Sequence, residues 1–228
     1  YKDFGFEDVK IKFSNRPQKK IGDDKTWDFL ENSLENSLKK LGLNYEINEG
    51  EGAFYGPKIE FVLIDALSRE WQCGTLQVDL NLPPRLNATY VDHNGEKSYP
   101  VMIHRAFFGS LERFIGILIE HYSGKLPIWL APIQVAIATI NDKCDDYCDE
   151  LSEVLESQGF TTKSDKRNEK LNYKIREISN EKIPFLIVVG EKEVQEKTLS
   201  IRELGTKQTS TLKIEEFLKK LKKSCRIS

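Results

Sequence analysis

The stretch Val101-Met102-Ile103-His104-Arg105-Ala106-Phe107-Phe108-Gly109-Ser110-Leu111-Glu112-Arg113-Phe114-Ile115-Gly116-Ile117-Leu118-Ile119-Glu120-His121 decides the fold. It reads as a buried strand, a tight turn at Gly109 and an amphipathic helix, because Leu111, Phe114, Ile115, Leu118 and Ile119 recur at helical spacing. Arg113 lies beside that apolar stripe. A guanidinium near a core needs a carboxylate, a phosphate or an aromatic face. On the residues alone, a structural Arg–Glu pair carries as much weight as a phosphate contact.

Upstream, residues 9–13 read as a strand and residues 27–41 as a helix with Trp27, Leu30, Leu34, Leu38 and Leu41 on one face, capped by Asp24 and ended by Gly42. Residues 45–47, 59–64, 71–80 and 100–106 read as further strands, with Asn94-Gly95 marking a hairpin between the last two. Their short connections leave no room for crossover helices, so the pairing is mostly antiparallel. A boundary falls at Gly124-Lys125-Leu126-Pro127, dividing the chain into 1–126 and 127–228. Beyond it strands (134–140, 160–164, 185–189, 198–202) and helices (142–158, 171–180, 213–223) alternate, which predicts a smaller α/β domain with a roughly five-stranded mixed sheet. The overall class is α+β.

The chain has 228 residues, with 34 basic side chains against 36 acidic ones, so any nucleic-acid contact must be a local patch. One such patch runs from Lys163 to Arg176: Lys163, Lys166, Arg167, Lys170, Lys174 and Arg176 against Asp165 and Glu169. A solvated helix face explains such a run equally well on composition. The four cysteines lack the density of a disulfide scaffold, which points to a reducing compartment. Cys144 and Cys148 form one helical stripe with Leu151 and Leu155 and read as core rather than metal ligands. No apolar run reaches membrane length and no secretory signal opens the chain, so a soluble cytoplasmic protein is expected.

Gly109-x-x-Glu112-Arg113 opening an apolar helix resembles motif 3 of the class II aminoacyl-tRNA synthetases. With Ile103-His104-Arg105 and Trp71-Gln72-Cys73-Gly74-Thr75-Leu76-Gln77-Val78-Asp79, the pattern is similar to the threonyl members of that class, from Tyr1 into the final helix. The resemblance implies ATP-dependent activation of threonine and its transfer to tRNA(Thr), with Mg²⁺ accompanying ATP. It places Arg113 on the adenine and phosphates, Lys58 on the nucleotide side, Tyr55 in the threonine pocket, and Gln72 and Gln77 around the adenylate. Lys58 does follow glycines, but Pro57 and Ile59 rule out a P-loop. Gln72 and Gln77 point to opposite faces of a regular strand, so their shared role requires a bulge near Cys73-Gly74.

His104 on an apolar strand reads by itself as a satisfied core histidine. It stands nine residues before Arg113, however, and the resemblance makes it a zinc ligand in a site where zinc binds threonine's amino group and hydroxyl together. Valine lacks the hydroxyl and is thereby rejected. The family's two other zinc ligands, motif 1 at the homodimer interface and motif 2 should lie upstream. The expectation is therefore a fragment that neither retains zinc nor activates threonine alone, with Cys73 in a non-ligand position. The second domain resembles the anticodon-binding domain of the same enzymes, and Asn168, Arg176, Glu193 and Arg202 fall at the base-contacting positions. The competing reading is a stand-alone tRNA-binding or regulatory module that keeps a non-catalytic synthetase remnant.

Overall fold

The structure, a computed structural model, describes residues 1–206 and 208–225. The chain divides into two compact units, the first spanning Tyr1–His121 and the second starting at Tyr122 rather than after Leu126. The first unit runs β1 (Val9–Ser14), α1 (Asp24–Lys40), β2 (Glu46–Asn48), β3 (Lys58–Ile64), β4 (Glu70–Asp79), α2 (Leu82–Arg85), β5 (Tyr90–Val91), β6 (Lys97–Ser98), β7 (Met102–Ala106) and α3 (Leu111–His121). Its main sheet has the order β2-β1-β3-β4-β7, with β7 outermost. All pairings are antiparallel except β1 with β2.

One face of this sheet is apolar. Leu30, Leu34 and Leu38, one helical turn apart on α1, cluster with Phe13, Ile59 and Val78. The cap of α1 is Asp23 and not Asp24: the Asp23 carboxylate accepts the Thr26 amide at 2.9 Å, the geometry of an N-cap. On α3 the buried residues are Phe114, Ile117 and Leu118, whereas Leu111, Ile115 and Ile119 from the sequence-read stripe are about half or more exposed. Phe114 packs on Phe4 and Phe108, so aromatic contacts set the rotation of the helix.

The second unit runs β8 (Val135–Thr139), α4 (Asp145–Ser157), β9 (Thr162–Asp165), α5 (Leu171–Asn180), β10 (Phe185–Val189), α6 (Glu191–Glu196), β11 (Leu199–Glu203), β12 (Thr209–Leu212) and α7 (Ile214–Ser224). The sheet order is β12-β11-β10-β8-β9. β9, β8 and β10 are parallel, and β11 and β12 add antiparallel. β8 and β10 are buried at every position because the sheet is covered on both faces. On one side lie Cys144, Cys148, Leu151, Leu155 and Phe217, so the cysteine pair is core, and on the other lies Ile178.

Lys174 departs from its reading as part of an exposed basic run. It is 1% exposed, and its ammonium donates to the carbonyls of Thr139 at 2.9 Å and Asp165 at 3.1 Å, at the ends of two parallel strands. A buried ammonium persists only when its donors are used in this way.

Candidate active site

The polar face of the first sheet carries the candidate chemistry. Asn48, Ser14, Lys58, Gln77 and His104 stand directly opposite one another across β2, β1, β3, β4 and β7. Directly opposed residues share a face, so one row of polar side chains crosses the entire sheet. Tyr55 donates its hydroxyl to Gln77 Oε1 at 3.1 Å, and its ring meets His104 edge-on with centroids 6.2 Å apart. The turn that brings Tyr55 there needs Gly56: a Cβ at that position would lie 1.7 Å from the Val78 carbonyl oxygen.

His104 is not a satisfied core histidine. Its side chain is 41% exposed, and Nε2 lies 2.8 Å from Oδ2 of Asp79, which is buried. Burial pushes the Asp79 carboxyl up, but the His104 ring and the Leu82 and Asn81 amides outweigh it and hold the group below its ordinary value. An ionised carboxylate only accepts, so Nε2 carries a proton, and the tautomer compatible with this contact has its lone pair on Nδ1. Asp79 was absent from the sequence-read site. Its signal was present, since it stands two residues after Gln77 on one strand and therefore faces the same way.

Gln72 and Gln77 do share a face. The register of β3 against β4 shifts between Phe61 and Val62, opposite Cys73, which inserts the extra residue. The Gln72 amide then reaches Thr75 Oγ1 at 3.0 Å, two residues before Gln77 on the same side. Cys73 itself is buried at this bulge, and burial pushes its thiol up, away from the thiolate a metal needs. Among the described residues no group of three or more His, Cys, Asp or Glu side chains comes together to hold a metal ion.

Arg113 is exposed at the start of α3 and donates Nη2 to the Gln72 carbonyl at 2.6 Å, with its guanidinium 5.9 Å from the Trp71 ring centroid. Gly109 gives it room: its φ is +64°, and a Cβ there would meet Arg113 Nη2 at 2.9 Å. The carboxylate partner weighed from the sequence is replaced by a carbonyl and an aromatic face. Arg113 at Gln72 and His104 at Gln77 thus mark two stations on β4, roughly 15 Å apart at the ordinary strand rise. Lys58 pairs with the buried Glu60, a second residue the sequence reading passed over. An apolar hollow of about 280 Å³, lined by Tyr1, Phe4, Phe61 and Phe108 among others, holds none of the sequence-read site residues.

In the second unit, Asn168 lines a cavity of about 270 Å³ beyond the ends of β8 and β9, with Lys166, Arg167 and Asn141. Arg202 lines a different hollow, beside Ile175 and Ile178 of α5. Glu193 caps α6, its carboxylate accepting the Gly190 amide at 3.0 Å. Arg176 lies on α5. Four of the six basic residues in the run are already paired: Lys163 with Glu181, Lys166 with Asp149, Arg167 with Asp165 and Glu177, and Lys174 with Asp165.

A family model described as the tRNA synthetase class II core domain (G, H, P, S and T) matches residues 1–122. The chain belongs to the class II aminoacyl-tRNA synthetases. Residues 134–224 of this synthetase chain match a second model, the anticodon binding domain. The threonine–tRNA ligases of Pelagibacter ubique and Rickettsia africae are 55% and 54% identical over 96% of the chain, which spans 34% of each relative's length. Among solved structures, the RNA binding domain of threonyl-tRNA synthetase from Cryptosporidium parvum superposes with a TM-score of 0.91 at 36% identity. That match covers 98% of this chain and 56% of the other. The class II sheet and the mixed five-stranded sheet expected from the sequence are both present.

Proposed function

We propose that this chain is the part of a threonine–tRNA ligase that binds threonyl-adenylate and reads the anticodon of tRNA(Thr). The observation that carries the reading is the cluster of Tyr55, Gln77, Asp79 and His104 at one end of β4 with Arg113 at the other, in a chain 54% identical to threonine–tRNA ligases. In the reaction, the threonine carboxylate attacks the α-phosphorus of ATP, and the bond to pyrophosphate breaks. Charge develops on phosphate, and the protein's task is positioning and cationic stabilisation. Lys58 and Arg113 supply the cations, with Mg²⁺ accompanying ATP. Tyr55 and Gln77 orient the amino acid, and Gln72 holds the nucleotide end.

His104, with Nε2 toward Asp79, is the residue of this chain that would hold a zinc ion, through Nδ1. When bound, zinc would take the amino group and hydroxyl of threonine together, which discriminates against valine. In the second unit Asn168, Arg176, Glu193 and Arg202 meet splayed anticodon bases along their edges. No helix among the described residues is long and apolar enough to cross a membrane, and a cytoplasmic homodimer accords with this reading.

The test is threonine-dependent pyrophosphate exchange by the full-length gene product, with valine as competitor. Wild type is expected to exchange with threonine, and His104→Ala to abolish exchange while remaining soluble. A wild-type protein that binds tRNA(Thr) without exchanging pyrophosphate would instead establish the stand-alone binding module.

A further inference from the structure

A buried polar chain stands behind Lys58. Glu60 follows it by two residues on β3 and so faces the same way. Its carboxylate is 5% exposed; Oε1 lies 2.5 Å from the Lys58 ammonium, and Oε2 accepts the Ser14 hydroxyl at 2.8 Å. Ser14, fully buried, accepts in turn from the Asn48 amide at 3.4 Å. These contacts join β2, β1 and β3 on the face that carries Gln77 and His104.

An apolar residue would fill this pleat position at lower cost, because a buried ion pair rarely repays the desolvation of both charges. The arrangement does accomplish something else. A free lysine samples many rotamers, whereas this one is 20% exposed and has its ammonium held by Glu60. Glu60 takes one of the three ammonium donors and leaves the others free. We propose that Glu60 is a positioning residue that presets Lys58 for the nucleotide phosphates, with Ser14 and Asn48 fixing the carboxylate in turn. This rests on the ligase reading, in which Lys58 belongs to the nucleotide side.

The experiment is threonine-dependent pyrophosphate exchange by the full-length gene product with ATP as the varied substrate, on wild type, E60Q, K58M and the double variant. E60Q is expected to raise KM for ATP about tenfold or more, the scale at which small misplacements act. In the K58M background E60Q should add nothing further, because no ammonium remains to be placed. Equal effects of E60Q in both backgrounds, or no effect in either, would overturn the inference. Should E60Q fail to fold, Ser14→Ala replaces it: a smaller rise in KM for ATP that vanishes with K58M supports the proposal, and an unchanged KM refutes it. A wild type without exchange is seen before any variant is made, and that outcome removes the ligase reading itself.

Discussion

A single buried carboxylate shows how far one residue's surroundings reach. Asp65 accepts the amides of Leu67 at 2.9 Å and Arg69 at 2.8 Å, the Trp71 indole N–H at 2.8 Å, and the Arg69 Nε–H at 2.5 Å. Burial pushes the carboxyl up, but the indole, the Arg69 amide and guanidinium and the Leu67 amide overcome it and hold the group well below the usual carboxylate range. Because the folded value lies below the unfolded one, this stabilisation is complete above about pH 4 and fades as pH falls toward the folded value. Asp65→Asn should therefore lower stability at neutral pH and flatten the acid limb of the stability curve, read from urea midpoints across a pH series. An acid limb as steep as wild type would refute this. Trp71, fixed by Asp65, is also the ring beside Arg113, so the same carboxylate steadies the wall on which that arginine rests.

Between elements, Lys174 ties α5 to β8 and β9: its ammonium reaches the last carbonyls of both strands. Lys174→Met removes these bonds and strands two buried acceptors, at a cost of about 1–3 kcal/mol. The measurement is the urea midpoint of this chain, with the denaturant slope unchanged. That role could not be read from the sequence, because a lysine among other basic residues gives no sign of which one turns inward. Elements with a strong period were legible: the Leu30-Leu34-Leu38 face of α1 and the apolar runs of β8 and β10 were found at nearly their observed bounds. α6 and β12 were missed because both are short and polar, and tertiary pairing forms them rather than local pattern. Within the site, the bulge at Cys73 was inferred from Gln72 and Gln77 having to face one way. Asp79 and Glu60 escaped notice because partners that orient other side chains leave no motif; they show only as alternation beside a residue already chosen.

At the scale of the whole molecule, a formal charge of −2 provides no general attraction for RNA. The pairing of Lys163, Lys166 and Arg167 with carboxylates reduces the apparent basic patch further. Binding of a tRNA anticodon stem-loop should then depend on few phosphate contacts. Lys170→Ala is expected to flatten the plot of log affinity against log salt by about 0.7, the single-strand value for one contact. Lys163→Ala, whose ammonium is held by Glu181 at 2.6 and 2.7 Å, should leave the slope alone. The reverse pattern would mean that the carboxylate partners let go on binding. The position of β7 at the rim of its sheet has a different consequence. For the chain by itself, the backbone groups on the outer side of β7 lie beside exposed Val101, Ile103 and Phe107, so a preparation of these 228 residues alone offers a margin for lateral strand addition in concentrated solution. Arg105, stacked over Phe107 at 4.4 Å on that same margin, places a charge where a further strand would have to dock.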